Sequence, residues 1–443
     1  MDIETRTLKR VTTRLVPFLI LCYFVAYLDR VNVAFASLTM NKDLGLSSAA
    51  YGFGAGVFFL TYAAFEVPSN LILERVGARR WIARIMVTWG LISAMMAFIP
   101  QIAALTGLDV EYTFYGLRML LGLAEAGFFP GVIFFLTLWF PTTHRARVTG
   151  YFMSAIPLAG LFGSPASGLL LQLNGWHGLA GWQWMFIIEA VPALLLSAVV
   201  LMYLTDMPSR ATWLDREQKL WLNQRLQREA YLRLQRHKPS VAQAILNPKI
   251  LLLGFIYFGA VASRDSIGFF LPQIVKEFGL TNVETGFVAA IPFLIGAVGM
   301  ILWGRHSDRT NERKAHVAIP LVLAAAGLAA STVLPDPVLK MVALCVANFG
   351  VFACLPPFWT LPTAYLTGAA AAGGIAAINT VGQLGGFYAP AIIGWVKQTT
   401  GSFNLGLVTV AVMTLFAALI VMLLRHDEAS VTASATEATV PAE

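Results

Sequence analysis

The sequence predicts an all-α membrane protein whose twelve transmembrane helices form two pseudo-symmetric six-helix bundles. Three observations predict this fold class. First, 57% of the 443 residues are hydrophobic and 12% are charged, whereas about a quarter of an ordinary soluble domain is charged. Second, apolar runs of about 20 residues, the length that crosses a hydrocarbon core, recur along the chain. Third, a charged motif of the first half returns in the second half.

The predicted spans are the apolar runs at 15–39, 49–73, 82–103, 112–139, 147–172, 182–205, 249–272, 285–304, 316–335, 338–361, 367–396 and 403–424. We expect 112–139 and 367–396 to extend past the bilayer, because both exceed the length needed to cross it. Gly52, Gly54 and Gly56 predict close helix packing rather than a nucleotide loop, since no strand precedes them.

The basic residues predict the topology. If the N-terminus lies inside the cell, 24 of the 31 lysine and arginine residues fall in cytoplasmic stretches. The positive-inside rule then places both termini in the cytoplasm of a multi-pass protein of the cell membrane, which we take to be a bacterial inner membrane. The net charge of +7 reflects this topology, so we expect the lipid bilayer, and no nucleic acid, as the partner of these residues.

An acidic residue followed by arginine occurs after the second span of each half. The first copy contains Glu74, Arg75, Arg79 and Arg80, and the second contains Asp308, Arg309 and Arg313. This repeat predicts bundles at 1–205 and 249–425. We interpret both clusters as conformational latches that join helix ends on the inner face in one access state. Solvated positive charge on the inner side is the alternative.

The charged stretch 206–248 separates the two predicted bundles. Its apolar residues at 213, 214, 220, 221 and 222 predict an amphipathic helix that lies on the inner face of the membrane. Residues 426–443 are rich in Ala, Thr, Ser and Glu, a composition that predicts a disordered cytoplasmic tail.

Two stretches place charged side chains inside otherwise apolar spans: Tyr27-Leu-Asp29-Arg30-Val-Asn32, and the helix from Arg118 to Glu125. A charge at bilayer depth costs about 2.5 to 3.5 kcal/mol, so these residues predict a function. Arg30 and Arg118 can each offer two parallel N–H groups to a carboxylate, which predicts anion binding. Alternatively, Arg30 extends to the lipid headgroups or neutralises Asp29.

Glu125 and Asp29 are the predicted proton-coupling groups. Small residues flank Glu125, so its carboxyl lies in a narrow apolar cleft, where burial favours the protonated form and a nearby arginine favours the ionised form. A group held between these influences can change its protonation when an anion arrives or leaves. The alternative for both carboxylates is a permanent ion pair without a transport role.

Arg264 and Asp265 form a third charged pair in the seventh span. Three roles stay open for it: an anion contact that favours a dicarboxylate, a salt bridge of a gate, or a self-neutralised structural pair. Glu66 and Glu189 are better interpreted as structural, because they lie beside Pro68 and Pro192 near helix ends.

The chain resembles the major facilitator superfamily, and within it the anion:cation symporter family. The superfamily signature is the acid-Arg-x-Gly-x-Arg-Arg loop at 74–80. The residues that resemble the narrower family are Tyr27-x-Asp29-Arg30-x-Asn32, Arg118 with Glu125, Gly181-Trp-Gln-Trp-Met-Phe186 with Glu189, Asp206-Met-Pro208, Leu271-Pro-Gln-Ile-Val-Lys276 and Phe358-Trp359-x-x-Pro362. The similarity covers residues 10–425. Asn70 and Glu74 depart from the usual Gly and Asp of the loop.

The resemblance implies the major facilitator fold and the same roles for Asp29 and Glu125. Correspondence with the family's sugar-acid transporters implies that Tyr27, Tyr62, Trp359 and Asn379 contact substrate, with Gln383 as a weaker candidate; packing is the alternative. With an arginine in the seventh span, the chain also resembles the vesicular glutamate branch of the same family. Many other relatives have uncharged residues at this position, so the identity of the substrate does not follow from the resemblance.

We therefore expect a monomeric secondary transporter that imports a small organic anion with protons: a sugar acid, a hydroxy-dicarboxylate such as tartrate, or an aromatic acid such as phthalate. Organic anion exchange without proton coupling is the alternative.

A membrane enzyme is disfavoured because no nucleophile, metal or cofactor constellation is present. The three cysteines all lie in apolar runs, and we predict no metal and no cofactor. A nutrient sensor is disfavoured because we expect no signalling domain.

Overall fold

The computed structural model describes residues 2–234, 247–365 and 369–424, and these residues form helices and connecting turns without a strand. The first half contains ten helices: α1 Ile3–Leu44, α2 Ser48–Val76, α3 Ala78–Met96, α4 Ile99–Thr106, α5 Val110–Glu125, α6 Phe128–Trp139, α7 Thr142–Met153, α8 Ala155–Leu170, α9 Gly181–Tyr203 and α10 Arg216–Leu234. The second half contains α11 Pro248–Lys276, α12 Asn282–Thr310, α13 Lys314–Val333, α14 Pro337–Ala353, α15 Leu355–Tyr365, α16 Ala369–Thr400 and α17 Asn404–Leu423.

Ten stretches of the described residues are long and apolar enough to cross a membrane, or eleven if α3 and α4, bent by 86°, are one span. The remaining predicted run, 367–396, corresponds to α16, which has 32 residues. Its glycine, asparagine and glutamine residues lower its mean hydropathy, so apolarity alone does not mark it as a span. The predicted all-α membrane fold is confirmed.

Four of the predicted runs, 82–103, 112–139, 147–172 and 338–361, are broken in the described residues. The run 112–139 divides into α5 and α6 at Ala126 and Gly127, and Gly127 has a φ of 89°, which L side chains rarely adopt. A side chain at this position would also collide with the Ser69 hydroxyl. Glu125 is consequently the last residue of α5, next to an irregular piece of backbone within the membrane-spanning stretch.

Helices before residue 234 contact helices after residue 247 along three pairs: α1 with α11, α2 with α16, and α8 with α12. The predicted loop at 206–248 contains α10, and the division of the chain into bundles at 1–205 and 249–425 stays a prediction. The predicted tail at 426–443 lies outside the described residues.

Glycines bring the two halves into backbone contact at one end of the molecule, which we call the glycine end. A Cβ on Gly52 would stand 2.8 Å from the Cα of Gly394, and a Cβ on Gly168 would stand 3.2 Å from the Cα of Gly286. Close packing was the predicted role of the glycines in the second span. Without side chains between them, the halves are closed against each other at this end.

Hydrogen bonds between the halves reinforce the glycine end. The Ser48 backbone N–H donates to Gln398 Oε1 at 3.2 Å, and Gln273 Nε2 donates to the Ser37 hydroxyl at 2.8 Å. The buried Tyr51 hydroxyl donates to the Phe269 carbonyl at 3.0 Å. The Tyr51 bond is the one that is shielded from competing water, which strengthens it.

The helix α10 packs on the first half at the opposite end of the molecule, the basic end, which carries most arginines. Arg6 pairs with Glu217 at 2.9 Å, and Arg10 pairs with Asp215 at 3.1 Å. The predicted amphipathic helix was expected from residue 213, but α10 begins at Arg216, and the Trp213 ring before it stacks on Trp139. Leu220 is exposed, so the predicted apolar residues do not all share the buried face.

Candidate functional site

A small cavity, with room for about one water molecule, lies between the halves at mid-molecule. Five of the seven predicted substrate residues line it: Tyr27, Arg30, Tyr62, Arg264 and Asn379. They come from four helices, α1, α2, α11 and α16, and therefore from both halves. Several convergent polar groups in a cleft are typical of small-molecule sites, and in this closed conformation the cavity must widen before it can hold an organic anion.

Arg30 contributes a guanidinium to the cavity wall. Its Nη2 donates to Glu125 Oε1 at 2.5 Å, and its Cζ stands 4.6 Å from the Tyr27 ring centroid and 5.4 Å from that of Tyr62. Among the described residues, the buried Arg30 Nε has no hydrogen-bond partner. The guanidinium is thus held by aromatic faces and one carboxylate, and it retains a donor for an anion.

Glu125 is buried, with 3% of its side chain exposed. It reaches Arg30 from the end of α5, where the backbone turns at Ala126. Removing one partner of such a pair costs about 3 to 5 kcal/mol, because the other charge is left uncompensated. The protonation state of Glu125 therefore depends on whether Glu125 or another anion contacts the Arg30 guanidinium.

Asp29 lies next to Arg30 in the chain but is buried within the first half. Its carboxylate accepts hydrogen bonds from the Trp89 indole, from the Ser93 hydroxyl at 2.7 Å and from Asn32 Nδ2 at 3.1 Å. None of these donors is charged, and the Arg30 salt bridge is with Glu125. The alternative in which Arg30 neutralises Asp29 is not the arrangement found.

Arg118 does not line the cavity, although we expected both arginines to face it. The side chain is buried, and its Nε and Nη2 donate to the carbonyls of Gly54 and Ala55, each at 3.1 Å. Its guanidinium consequently ties α5 to α2. Sequence spacing places Arg118 on the face of Glu125, but it does not determine where a long, flexible side chain finds its acceptors.

Trp359 is the second predicted substrate residue outside the cavity lining. Its ring packs edge-on against Tyr257 at 5.0 Å, and Tyr257 lines the cavity. The Trp359 Nε1 is buried without a hydrogen-bond partner among the described residues.

Arg264 and Asp265 belong to α11 in the second half, and Arg264 lines the cavity. Arg264 Nε and Nη2 donate to the two carboxylate oxygens of Asp265 at 2.8 and 3.0 Å. A Cβ on Gly386 would stand 2.8 Å from Asp265 Oδ2, so only glycine leaves room for the pair. Each half therefore presents one guanidinium to the cavity, and each guanidinium has its own carboxylate.

Glu66 is closer to the site than sequence reasoning indicated. Its Oε1 accepts a hydrogen bond from Asn379 Nδ2 at 2.7 Å, which links α2 of the first half to α16 of the second. The sequence did contain a signal for this position: Glu66 follows Tyr62 by one helical turn, which puts both residues on one face of α2. Glu189, by contrast, bonds within the first half, to the Ser167 hydroxyl at 2.8 Å.

The two predicted latch clusters form no ion pair with each other in the described parts of the chain. In the second cluster, Arg313 Nη1 donates to Asp308 at 2.8 Å. In the first, the backbone N–H of Arg79 donates to Asp206 at 2.8 Å. Glu74, Arg75, Arg80 and Arg309 show no ion pair with another described residue in this conformation, so their role as latches stays a prediction.

A multi-spanning helical protein in which two halves enclose a charged central cavity is a membrane transporter in its architecture. This chain belongs to the major facilitator superfamily: the family model described as "Major Facilitator Superfamily" matches residues 19–390. The predicted membership of the superfamily is thereby confirmed.

Known proteins of the superfamily are similar to the chain over nearly its whole length. A protein of Agrobacterium vitis named "Putative tartrate transporter" is 49% identical over 426 residues, which cover 96% of this chain and 93% of that protein. The "Quinolone resistance transporter" of Acinetobacter baumannii is 41% identical over 417 residues, 94% of each chain. The xylose transporter XylE of E. coli, in a solved structure, is 14% identical with a TM-score of 0.74 over 94% of this chain and 98% of that chain, which shows the shared fold.

Proposed function

We propose that the protein imports a small organic anion together with protons, by alternating access of the central cavity. The observation that supports this most directly is the contact between Arg30 and Glu125 at the cavity wall. A guanidinium binds carboxylate strongly, and a buried carboxylate beside it can hold a proton.

The coupling follows from competition for Arg30. A substrate carboxylate that binds the guanidinium displaces Glu125, which is then left buried without its counter-ion. An isolated buried charge costs several kcal/mol, so Glu125 takes up a proton when the anion binds. Anion and proton consequently enter and leave the cavity together.

A dicarboxylate is the substrate class that the two guanidinium groups favour. Arg30 and Arg264 line one cavity from opposite halves, so an acid with two carboxylates can contact both. The name of the Agrobacterium vitis relative includes tartrate, a hydroxy-dicarboxylate. Sugar acids and aromatic acids are the other candidates. In our proposal the basic end faces the cytoplasm of the bacterial inner membrane, and one chain forms the complete path.

Uptake by proteoliposomes tests the proposal. Labelled tartrate should accumulate when the outside is more acidic than the inside, and collapse of the proton gradient should abolish accumulation. The variant Glu125→Gln should lose gradient-driven accumulation but retain counterflow exchange. If accumulation ignores the gradient and the variant behaves as wild type, the protein is an exchanger and symport is wrong.

A further inference from the structure

A chain of three buried side chains extends from the interface of the halves to the cavity. Glu66 Oε1 accepts from Asn379 Nδ2 at 2.7 Å, and Asn379 Oδ1 accepts from Gln383 Nε2 at 3.4 Å. Glu66 is 2% exposed, Asn379 3% and Gln383 6%. Asn379 and Gln383 both line the cavity.

The carboxyl group at one end determines the direction of this chain. Because Glu66 accepts through Oε1, the Asn379 amide turns its N–H toward Glu66 and its carbonyl toward Gln383. Gln383 then uses its own N–H on Asn379. Its Oε1 is left buried and has no hydrogen-bond partner in the described residues.

The orphaned Gln383 Oε1 is an acceptor in a wall whose charged groups are donors. The guanidinium groups of Arg30 and Arg264 have N–H groups but no acceptor, so they can take substrate carboxylates but not the hydrogen of a hydroxyl. An unpaired buried acceptor is energetically unfavourable, and a ligand that donates a hydrogen bond to it removes this cost.

We propose that Gln383 Oε1 accepts a hydrogen bond from a substrate hydroxyl, and that Glu66 is the positioning residue that keeps this acceptor directed at the cavity. This inference rests on the proposed function and narrows its substrate class. The guanidinium groups bind the carboxylates of the acid, whereas the amide chain recognises its hydroxyl groups. A hydroxy-dicarboxylate fits both elements, and a dicarboxylate without hydroxyls leaves Gln383 unpaired.

Binding of tartrate and succinate to the purified full-length protein, measured by isothermal titration calorimetry in detergent, tests the proposal. The two acids have the same carbon chain and differ in the hydroxyl groups. Wild type should bind tartrate at least about tenfold more tightly, because sites built for a hydroxyl reject analogues that lack it. Gln383→Met should weaken tartrate binding about tenfold and leave succinate binding unchanged. Gln101→Met, at an exposed position, is the matched control.

Two variants separate the positioning role of Glu66 from a structural one. Glu66→Gln retains an Oε1 acceptor for Asn379 and should preserve the preference for tartrate. Glu66→Leu removes the acceptor, frees the Asn379 amide to turn, and should reduce the preference as Gln383→Met does. A purely structural Glu66 would weaken both acids equally in Glu66→Leu, and that result overturns its positioning role.

The outcomes also separate this inference from the proposed function. Equal affinity of wild type for tartrate and succinate refutes hydroxyl recognition alone. An equal loss of affinity for both acids in Gln383→Met also refutes hydroxyl recognition by Gln383. Binding of neither acid refutes the dicarboxylate substrate class and this inference with it.

Discussion

Arg30 and Glu125 are 95 residues apart in the chain, yet the guanidinium of one lies 2.5 Å from the carboxylate of the other. The contact forms because α5 ends at Glu125, where the chain turns at Ala126 and Gly127 toward α6. Tyr27 and Tyr62 hold the arginine from two further directions. The pair is therefore shaped by α1, α2 and α5 together.

Arg30→Lys should abolish most transport. Lysine keeps the charge but cannot offer two parallel N–H groups to a carboxylate, so initial uptake of labelled tartrate should fall by about tenfold or more. Arg6→Lys is the control, because the pair of Arg6 with Glu217 is exposed and such pairs contribute little. Uptake close to wild type in Arg30→Lys would contradict anion binding by Arg30.

Arg118→Lys should affect stability more than transport. The lysine cannot reproduce both bonds to the Gly54 and Ala55 carbonyls, and a buried hydrogen bond of a charged group contributes about 1.5 to 3 kcal/mol. The melting temperature in detergent should fall below that of Arg30→Lys. A loss of tartrate affinity equal to that of Arg30→Lys, at an unchanged melting temperature, would show instead that Arg118 contacts substrate.

The double variant Arg264→Gln/Asp265→Asn should lose preference for dicarboxylates. Changing both residues leaves no unpaired buried charge, so the fold should be retained. Competition of uptake by succinate should weaken by about tenfold, the expected loss of one charge-assisted contact, while competition by a monocarboxylate stays within about twofold. Equal weakening of both competitors would contradict a separate carboxylate site at Arg264.

A cross-link across the glycine end should trap one conformation. The Ser48 N–H and Gln398 Oε1 meet at 3.2 Å, so Ser48→Cys/Gln398→Cys should be joined by a short, reducible bis-methanethiosulfonate reagent and lose uptake until the link is reduced. Adding Gly168→Leu should lower the yield of cross-link by separating α8 from α12. Full uptake by the cross-linked protein would show that this end stays closed throughout transport.

Glu312, in the turn between α12 and α13, should give a pH-dependent contribution to stability. Burial tends to raise the pKa of its carboxyl, but bonds from the Ala315 and His316 backbone N–H groups, at 2.7 and 3.1 Å, and from the His316 ring hold the pKa below its ordinary value. A depressed folded-state pKa stabilises the protein above the unfolded pKa, about 4.3, and this contribution is lost as the pH falls through the folded-state pKa.

Glu312→Gln should therefore lower the melting temperature at pH 7 by a small amount, and the difference from wild type should shrink as the pH falls through the acidic range. The side chain is 42% exposed, which limits the effect to about 1 kcal/mol or less. Glu217→Gln, at an exposed position, is the control. A difference that grows on acidification would contradict this account.

Apolar run length was sufficient to predict most spans, because burial in hydrocarbon imposes one helix length on every segment. A function for Arg30 and for Glu125 could be anticipated because charge is costly at that depth. Their contact with each other could not, since the sequence places Glu125 beside Arg118 and Arg30 beside Asp29. The break after Glu125 could not, since Ala126 and Gly127 look like a continuation of the run. The proximity of Glu66 to the cavity was not predicted, because the neighbouring Pro68 suggested a helix end. Its partner Asn379 also comes from the other half of the chain, and sequence spacing does not indicate such a contact.

The bare contact of Gly52 with Gly394 has a consequence for the tightness of the membrane. Two backbones that touch without side chains leave no room for a file of water molecules, which would conduct protons past the carrier. A larger residue at Gly52 would hold the two helices apart and admit such water. If a proton gradient drives the protein, as we propose, the variant would dissipate that gradient even though every group in the cavity is intact.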